Sequence, residues 1–312
     1  MEKAKIFIAY FQKKAYFSSR NLKYIRKGEI TMDLGYINGK FVQLDELVIP
    51  IEERGHQFGD GVYEVIQCYN GQPFMLEEHL QRLLQSCEAI KLPVNETLED
   101  FRTLILTGIE KAELQDGKVY LQVTRGIAAR NHPFPDAPVS ISMTLKDIEP
   151  LADGFRVNGV QAITHDDERW AKCYIKSLNL LPNILAKQAA QEAGCFEAIL
   201  VRNGFISEGT SSNIYMVKDG VVITTPLSDH ILAGITRMAV IQAAEDLNIP
   251  FEEKYFSPKE LLEADEVFMT STLVEVLPIV KIDGTAIDKG VPGEITKKLY
   301  MQYQELKKKA LE

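Results

Sequence analysis

Lys176 is the only charged residue in the run Cys173-Tyr-Ile-Lys-Ser-Leu-Asn-Leu-Leu-Pro-Asn-Ile-Leu-Ala186, although 25% of the chain is Asp, Glu, Lys or Arg. Apolar surroundings disfavour an ammonium ion, lower its pKa and free its lone pair to attack a carbonyl carbon. A lysine snorkelling from the start of a helix would give the same window, so other residues must decide. Ser207-Glu208-Gly-Thr-Ser-Ser-Asn213 sets a carboxylate beside a glycine and a run of hydroxyls; a capped turn explains that composition equally well. Ala233-Gly234-Ile235-Thr236-Arg237 reads as a helix start, where free N–H groups suit a phosphate. Thr270-Ser271-Thr272 follows the strand-like Glu266-Val-Phe-Met269. In Glu78-His79-Leu-Gln-Arg82, His79 and Arg82 fall three apart on the polar side of an amphipathic helix, a pattern that a solvated face usually explains.

Each cluster alone has an ordinary structural reading. Together they supply an amine nucleophile, a carboxylate and several anion-binding groups. Pyridoxal 5′-phosphate requires that set: a lysine to hold its aldehyde carbon, an acid for the pyridine nitrogen and a cradle for the phosphate.

The elements that must position these groups are marked by turns. Asn38-Gly39, Asn70-Gly71, Asn203-Gly204, Asp219-Gly220 and Asp283-Gly284 each separate short β-branched or aromatic runs, the strongest local signal for two-residue hairpins. Helical spacing takes over at 76–90, 97–114, 181–193 (ended by Gly194), 235–247 and from about Glu294 onward, and Ser257 with Glu260 predicts a capping box. Strands and helices cluster rather than alternate, which predicts an α+β fold with mixed sheets, barrel-like in its C-terminal part and flanked by helices. The polar stretch 147–154 predicts a boundary between an N-terminal α/β domain (32–150) and a C-terminal cofactor-binding domain (151–312).

Composition narrows the partners. The net charge of −9 gives no general attraction to nucleic acid, and no apolar run is long enough to span a membrane. Cys68, Cys87, Cys173 and Cys195 form no C-x-x-C pair and have no neighbouring histidine, which argues against a metal site and suits the reducing cytoplasm. Residues 1–30 carry eight Lys or Arg against Glu2 and Glu29, a net +6 that leaves −15 for the rest. This basic leader reads as a poor secretory signal. Lys27-Gly28-Glu29 is what a purine-rich ribosome-binding sequence would encode if read through, so translation is expected to begin at Met32 and residues 1–31 to lie outside the fold.

The ordered series Arg-Gly-x-Gln-Phe-Gly-Asp-Gly-Val-Tyr-Glu (54–64), Glu-His-x-x-Arg-Leu (78–83), Ile-Lys-Ser-Leu-Asn (175–179), Glu-Gly-Thr-Ser-Ser-Asn (208–213), Gly-Ile-Thr-Arg (234–237) and Thr-Ser-Thr (270–272) resembles the class IV pyridoxal-phosphate family. That family includes branched-chain and D-amino-acid aminotransferases and aminodeoxychorismate lyase. The resemblance spans residues 34–300, and 123–132 is similar to the stretch that marks the D-amino-acid aminotransferases. It implies fold type IV and transamination of D-amino acids, with D-alanine and 2-oxoglutarate giving pyruvate and D-glutamate; the L-branched-chain and lyase activities are the alternatives. It implies that Lys176 holds the cofactor and moves the proton, Glu208 pairs with the pyridine nitrogen and Leu232 packs on the ring. Arg82, Ile235, Thr236, Ser271 and Thr272 would take the phosphate, and Tyr63, Arg130 and His132 the substrate carboxylate. The last two would come from a partner subunit, so a homodimer is implied. Leu273-Val274 departs from the smaller or more polar residues expected beside a substrate pocket, and the leader has no counterpart in the family.

Overall fold

The computed structural model describes residues 24–26, 29–31 and 33–311. The first two segments, β1 (Tyr24–Arg26) and β2 (Glu29–Thr31), pair only with each other, and the remainder of the leader lies outside the described residues.

A six-stranded antiparallel sheet follows. It is built from β3 (Leu34–Ile37), β4 (Lys40–Val42), β5 (Gly61–Tyr69), β6 (Gln72–Pro73), β7 (Gly117–Thr124) and β8 (Ser140–Asp147), in the order β4-β3-β8-β7-β5-β6. The short α1 (Arg54–Phe58) precedes β5, and α2 (Leu76–Ala89) and α3 (Leu98–Lys111) cover one face. Leu76, Leu80, Leu83 and Cys87 of α2 pack on Val62, Ile66 and Cys68 of β5 in a continuous core. Burying each large aliphatic side chain contributes about 1.5–3 kcal/mol. A Thr97–Asp100 capping box starts α3.

The second sheet contains β9 (Val160–Asp166), β10 (Glu197–Arg202), β11 (Phe205–Gly209), β12 (Asn213–Lys218), β13 (Val221–Thr224), β14 (Phe251–Glu253), β15 (Glu266–Ser271), β16 (Glu275–Ile282) and β17 (Thr285–Ala286). Its order is β11-β10-β9-β16-β15-β12-β13-β14, with β17 on β16. The β9–β10, β9–β16 and β13–β14 pairs are parallel and the rest antiparallel, so the sheet is mixed, as the clustering of elements predicts. Around it lie α4 (Asp153–Asn158), α5 (Leu181–Glu192), α6 (Ile235–Asp246), α7 (Pro258–Leu262) and α8 (Glu294–Ala310). The predicted Ser257–Glu260 capping box starts α7.

All five turn dipeptides close hairpins, with both central residues at positive φ; Asn38 is at 44° and Gly39 at 93°. That is the backbone whose twist matches paired strands, and Asn or Asp followed by Gly adopts it most readily.

Candidate active site

Lys176 lies in the irregular segment between β9 and α5, clipped to the free edge at the start of β5. The Tyr63 amide donates to the Lys176 carbonyl at 3.0 Å, and the Leu178 amide donates to the Gly61 carbonyl at 3.0 Å. The Lys176 amide donates to Ser86 Oγ on α2 at 3.3 Å. This double clip sets the half-buried Lys176 Nζ 4.3 Å from the centre of the Tyr63 ring.

The amine faces a cleft whose walls come from both sheets. Glu208, on β11, forms one wall and is buried. It pairs with Arg169, and its Oε2 accepts from Asn213 Nδ2 and the Leu232 amide, each at 3.2 Å. Arg169 is divided: it also grips Asp167 through Nε and Nη2, both at 2.8 Å. Burial raises Glu208 above the ordinary carboxylate value despite Arg169. Burial pushes the neighbouring Cys173 thiol up to about 11.

The opposite end of the cleft is suited to an anion. Gly234 is the N-cap of α6, and Ile235 and Thr236 open the helix. A β-carbon at Gly234 would sit 2.2 Å from Asn213 Oδ1, so this approach of backbone to side chain admits only glycine. Ser271 and Thr272 also line the cleft. Arg82 reaches it from α2, its Nη1 donating to the Ala233 carbonyl at 2.7 Å.

The solvated-face explanation does not hold for His79 and Arg82, which are only 2% and 8% exposed. Both turn onto Glu64 of β5. Arg82 donates to its two oxygens at 2.7 and 2.8 Å, and His79 Nδ1 lies 2.7 Å from Oε2. Burial alone would raise Glu64, but the Arg82 guanidinium and His79 override it and hold it well below the usual carboxylate range. Burial lowers His79 itself.

The cleft therefore gathers Lys176, Tyr63, Arg82, Glu208, Leu232, Ile235, Thr236, Ser271 and Thr272 from distant parts of the sequence. Arg130 and His132 are not brought to it in this chain. They are exposed on the 125–139 loop, where Arg54 donates to the Asn131 carbonyl at 2.6 Å and the Arg130 guanidinium lies 4.3 Å from the Phe58 ring centre. The hydroxyls of Thr210 and Ser212 donate to the buried Glu197 carboxylate, so the capped-turn reading holds for these two. Val274 packs against the core of the second sheet and Leu273 is exposed; neither lines the cleft.

Glu64, Asp167, Arg169 and Asn213 carry no role in the sequence reading. Glu64 closes the 54–64 motif and shares parity with Val62, Ile66 and Cys68 on the buried face of β5. Arg169 is one charge in the Asp-Asp-Glu-Arg run 166–169, and nothing in that run singles it out.

The sequence model described as amino-transferase class IV matches residues 61–282. The chain belongs to this family. It is 46% identical over 269 residues to the D-alanine aminotransferase of Bacillus licheniformis, covering 86% of this chain and 94% of that one. It is 43% identical over 273 residues to the D-alanine aminotransferase of Staphylococcus epidermidis, covering 86% and 96%. Among solved class IV aminotransferases, the Escherichia coli branched-chain amino acid aminotransferase superposes with a TM-score of 0.82 at 27% identity, over 88% of this chain and 94% of that one. A branched-chain amino acid aminotransferase from T.th., solved with pyridoxamine 5′-phosphate, gives 0.81 at 28% identity, over 87% and 93%. The fold is thus that of the fold type IV aminotransferases, α+β as the sequence predicts.

Replacing Glu64 by Gln leaves a buried guanidinium without its anion, and we expect a loss of about 3 kcal/mol in urea unfolding at pH 7. Because Glu64 is held below its ordinary value of 4.5, its stabilisation is complete above that pH and is lost as pH falls through the lower folded-state value. The gap between wild type and Glu64→Gln should therefore close on acidification below pH 4.5. A gap independent of pH would contradict an ionised Glu64 paired with Arg82.

Proposed function

We propose that the chain transaminates D-amino acids with pyridoxal 5′-phosphate, moving the amino group of D-alanine to 2-oxoglutarate to give pyruvate and D-glutamate. One observation carries the reading: an amine, a buried carboxylate and an anion-binding helix start with hydroxyls converge in a single cleft. The 46% identity to a D-alanine aminotransferase, against 27% to the branched-chain enzyme, favours D-substrates over the L-branched-chain alternative.

The donor set fits the cofactor. Bound pyridoxal phosphate supplies an aldehyde carbon that amines can add to and a ring that takes up the electron pair released at the substrate Cα. Lys176 Nζ would hold that carbon and, when released, remove the Cα proton and return it on the neighbouring position. Glu208, lifted by burial and sharing Arg169 with Asp167, would accept the hydrogen of the ring nitrogen. The Ile235 and Thr236 amides, with Thr236, Ser271, Thr272 and Arg82, would hold the phosphate. Leu232 would close on one ring face, and Tyr63, stacked on Tyr120 with centroids 5.5 Å apart, would orient the substrate.

Arg130 and His132 stand outside their own chain's cleft, and we assign them to the cleft of a second copy, where they would bind the substrate carboxylate. Leu181, Ile184 and Leu185 form an exposed apolar stripe on α5, and Leu47 and Ile51 are exposed nearby in sequence to Arg54; such a surface suits a homodimer contact. All four cysteines are free, in keeping with a cytoplasmic enzyme. Among the described residues no helix is long and apolar enough to cross a membrane. The change of composition at 147–154, between β8 and β9, supports division into domains 32–150 and 151–312, with the leader 1–31 outside both.

Two measurements test this reading. After loading with cofactor and borohydride reduction, wild type should carry one pyridoxyl group by intact mass, whereas Lys176→Ala should fold normally, carry none and lose transamination. An adduct retained in the variant would remove Lys176 from its role. Arg130→Ala should keep the cofactor and raise KM. Mixing inactive Lys176→Ala with Arg130→Ala, followed by subunit exchange at low substrate, should restore about a quarter of wild-type activity, since half the dimers then hold one complete site. No recovery would place Arg130 in its own chain's site.

A further inference from the structure

The β15–β16 hairpin pairs Ser271 with Glu275, which leaves Thr272, Leu273 and Val274 as its loop. Three-residue hairpin loops usually end in a glycine in the left-handed region, because a β-carbon is disfavoured there. Here the left-handed position, at φ 58°, belongs to Glu275. Glycine would relax the turn, so the side chain at this position has a use beyond the turn itself.

That side chain is buried and fully engaged. Its carboxylate accepts from Tyr69 Oη at 2.9 Å, Arg156 Nη2 at 2.8 Å, Gln304 Nε2 at 3.0 Å and Lys307 Nζ at 2.8 Å. The four donors come from β5, α4 and α8, the first of which belongs to the other sheet. Arg156 Nη1 also donates to the carbonyls of Val274 and Val276, at 3.0 and 2.8 Å, bracketing Glu275 along the backbone. The Lys307 ammonium lies 4.2 Å from the centre of the Tyr69 ring. A carboxylate serving only to anchor α8 has no need of a disfavoured backbone at the root of a hairpin tip. That tip is where Ser271 and Thr272 enter the cleft.

We infer that Glu275 is a positioning residue, which locks the hairpin tip to β5 and α8 and thereby fixes the Ser271 and Thr272 groups at the phosphate end of the cleft. β5 carries Tyr69 at one end and Tyr63 and Glu64 at the other. The same node therefore also sets the spacing between the cleft walls contributed by the two sheets. The inference rests on the reading of that cleft as a pyridoxal-phosphate site.

The test compares the affinities of apo protein for pyridoxal phosphate and for pyridoxal, which lacks the phosphate. Glycine takes the left-handed turn without strain, so Glu275→Gly keeps the hairpin and removes only the lock. We expect its affinity for pyridoxal phosphate to fall between about 10- and 100-fold, with the affinity for pyridoxal left where it was. Glu275→Gln keeps the side-chain shape and should fall between wild type and Glu275→Gly; it gives the same comparison if the glycine variant does not fold. A ratio of the two affinities equal to wild type in these variants would reduce Glu275 to a structural tie and overturn the inference. Wild-type protein that binds both compounds equally would instead overturn the functional reading.

Discussion

The site depends on the buried ion pair of Glu64 and Arg82, to which His79 adds a third hydrogen bond. Moving a carboxylate and a guanidinium out of water costs several kcal/mol per ion, and only close, saturated pairing offsets that cost. Here the pairing is close: three donors approach the Glu64 oxygens within 2.7–2.8 Å. Arg82 then spans from β5 to the Ala233 carbonyl just before α6, so one guanidinium ties the first sheet to the helix start of the second. The clip of Lys176 onto β5 and the anion end of the cleft share this tie as their common reference.

The cleft holds a second buried carboxylate whose balance runs the other way. Glu208 is buried too, but its guanidinium is shared with Asp167, and its two N–H donors stand back at 3.2 Å. Desolvation therefore wins at Glu208, and pairing wins at Glu64. Two like groups in one scaffold are thus given different tasks by their partners. Glu64 is a fixed anion that orients a cation, and Glu208 is a carboxylate left with a raised proton affinity.

Much of this is legible in the sequence where the signal is local. The five Asn-Gly or Asp-Gly hairpins, the capping box at Ser257, and the helix opened by Gly234 each depend on residues a few positions apart. Lys176 stands out because its apolar window contrasts with the rest of the chain. Partnerships across the fold leave no such trace. Glu64 meets Arg82 across 18 positions and Arg169 meets Glu208 across 39, and in each case the sequence shows only a charged residue that could equally be solvated. The polar side of α2, which carries His79 and Arg82, is covered by β5, and helical periodicity alone does not reveal that. Arg130 and His132 are the converse. Their place in the series of motifs is plain, yet a single chain leaves them outside the cleft they are assigned to.

We propose that this cleft carries an amino group from D-amino acids to 2-oxo acids by way of Lys176. The most direct measurement is a single half-reaction: cofactor-loaded protein is mixed with D-alanine or with L-leucine, without an acceptor, and the oxo acid formed is counted. The expected result is one pyruvate per Lys176 from D-alanine and no oxo acid from L-leucine. Conversion of L-leucine with D-alanine left untouched would contradict the claim.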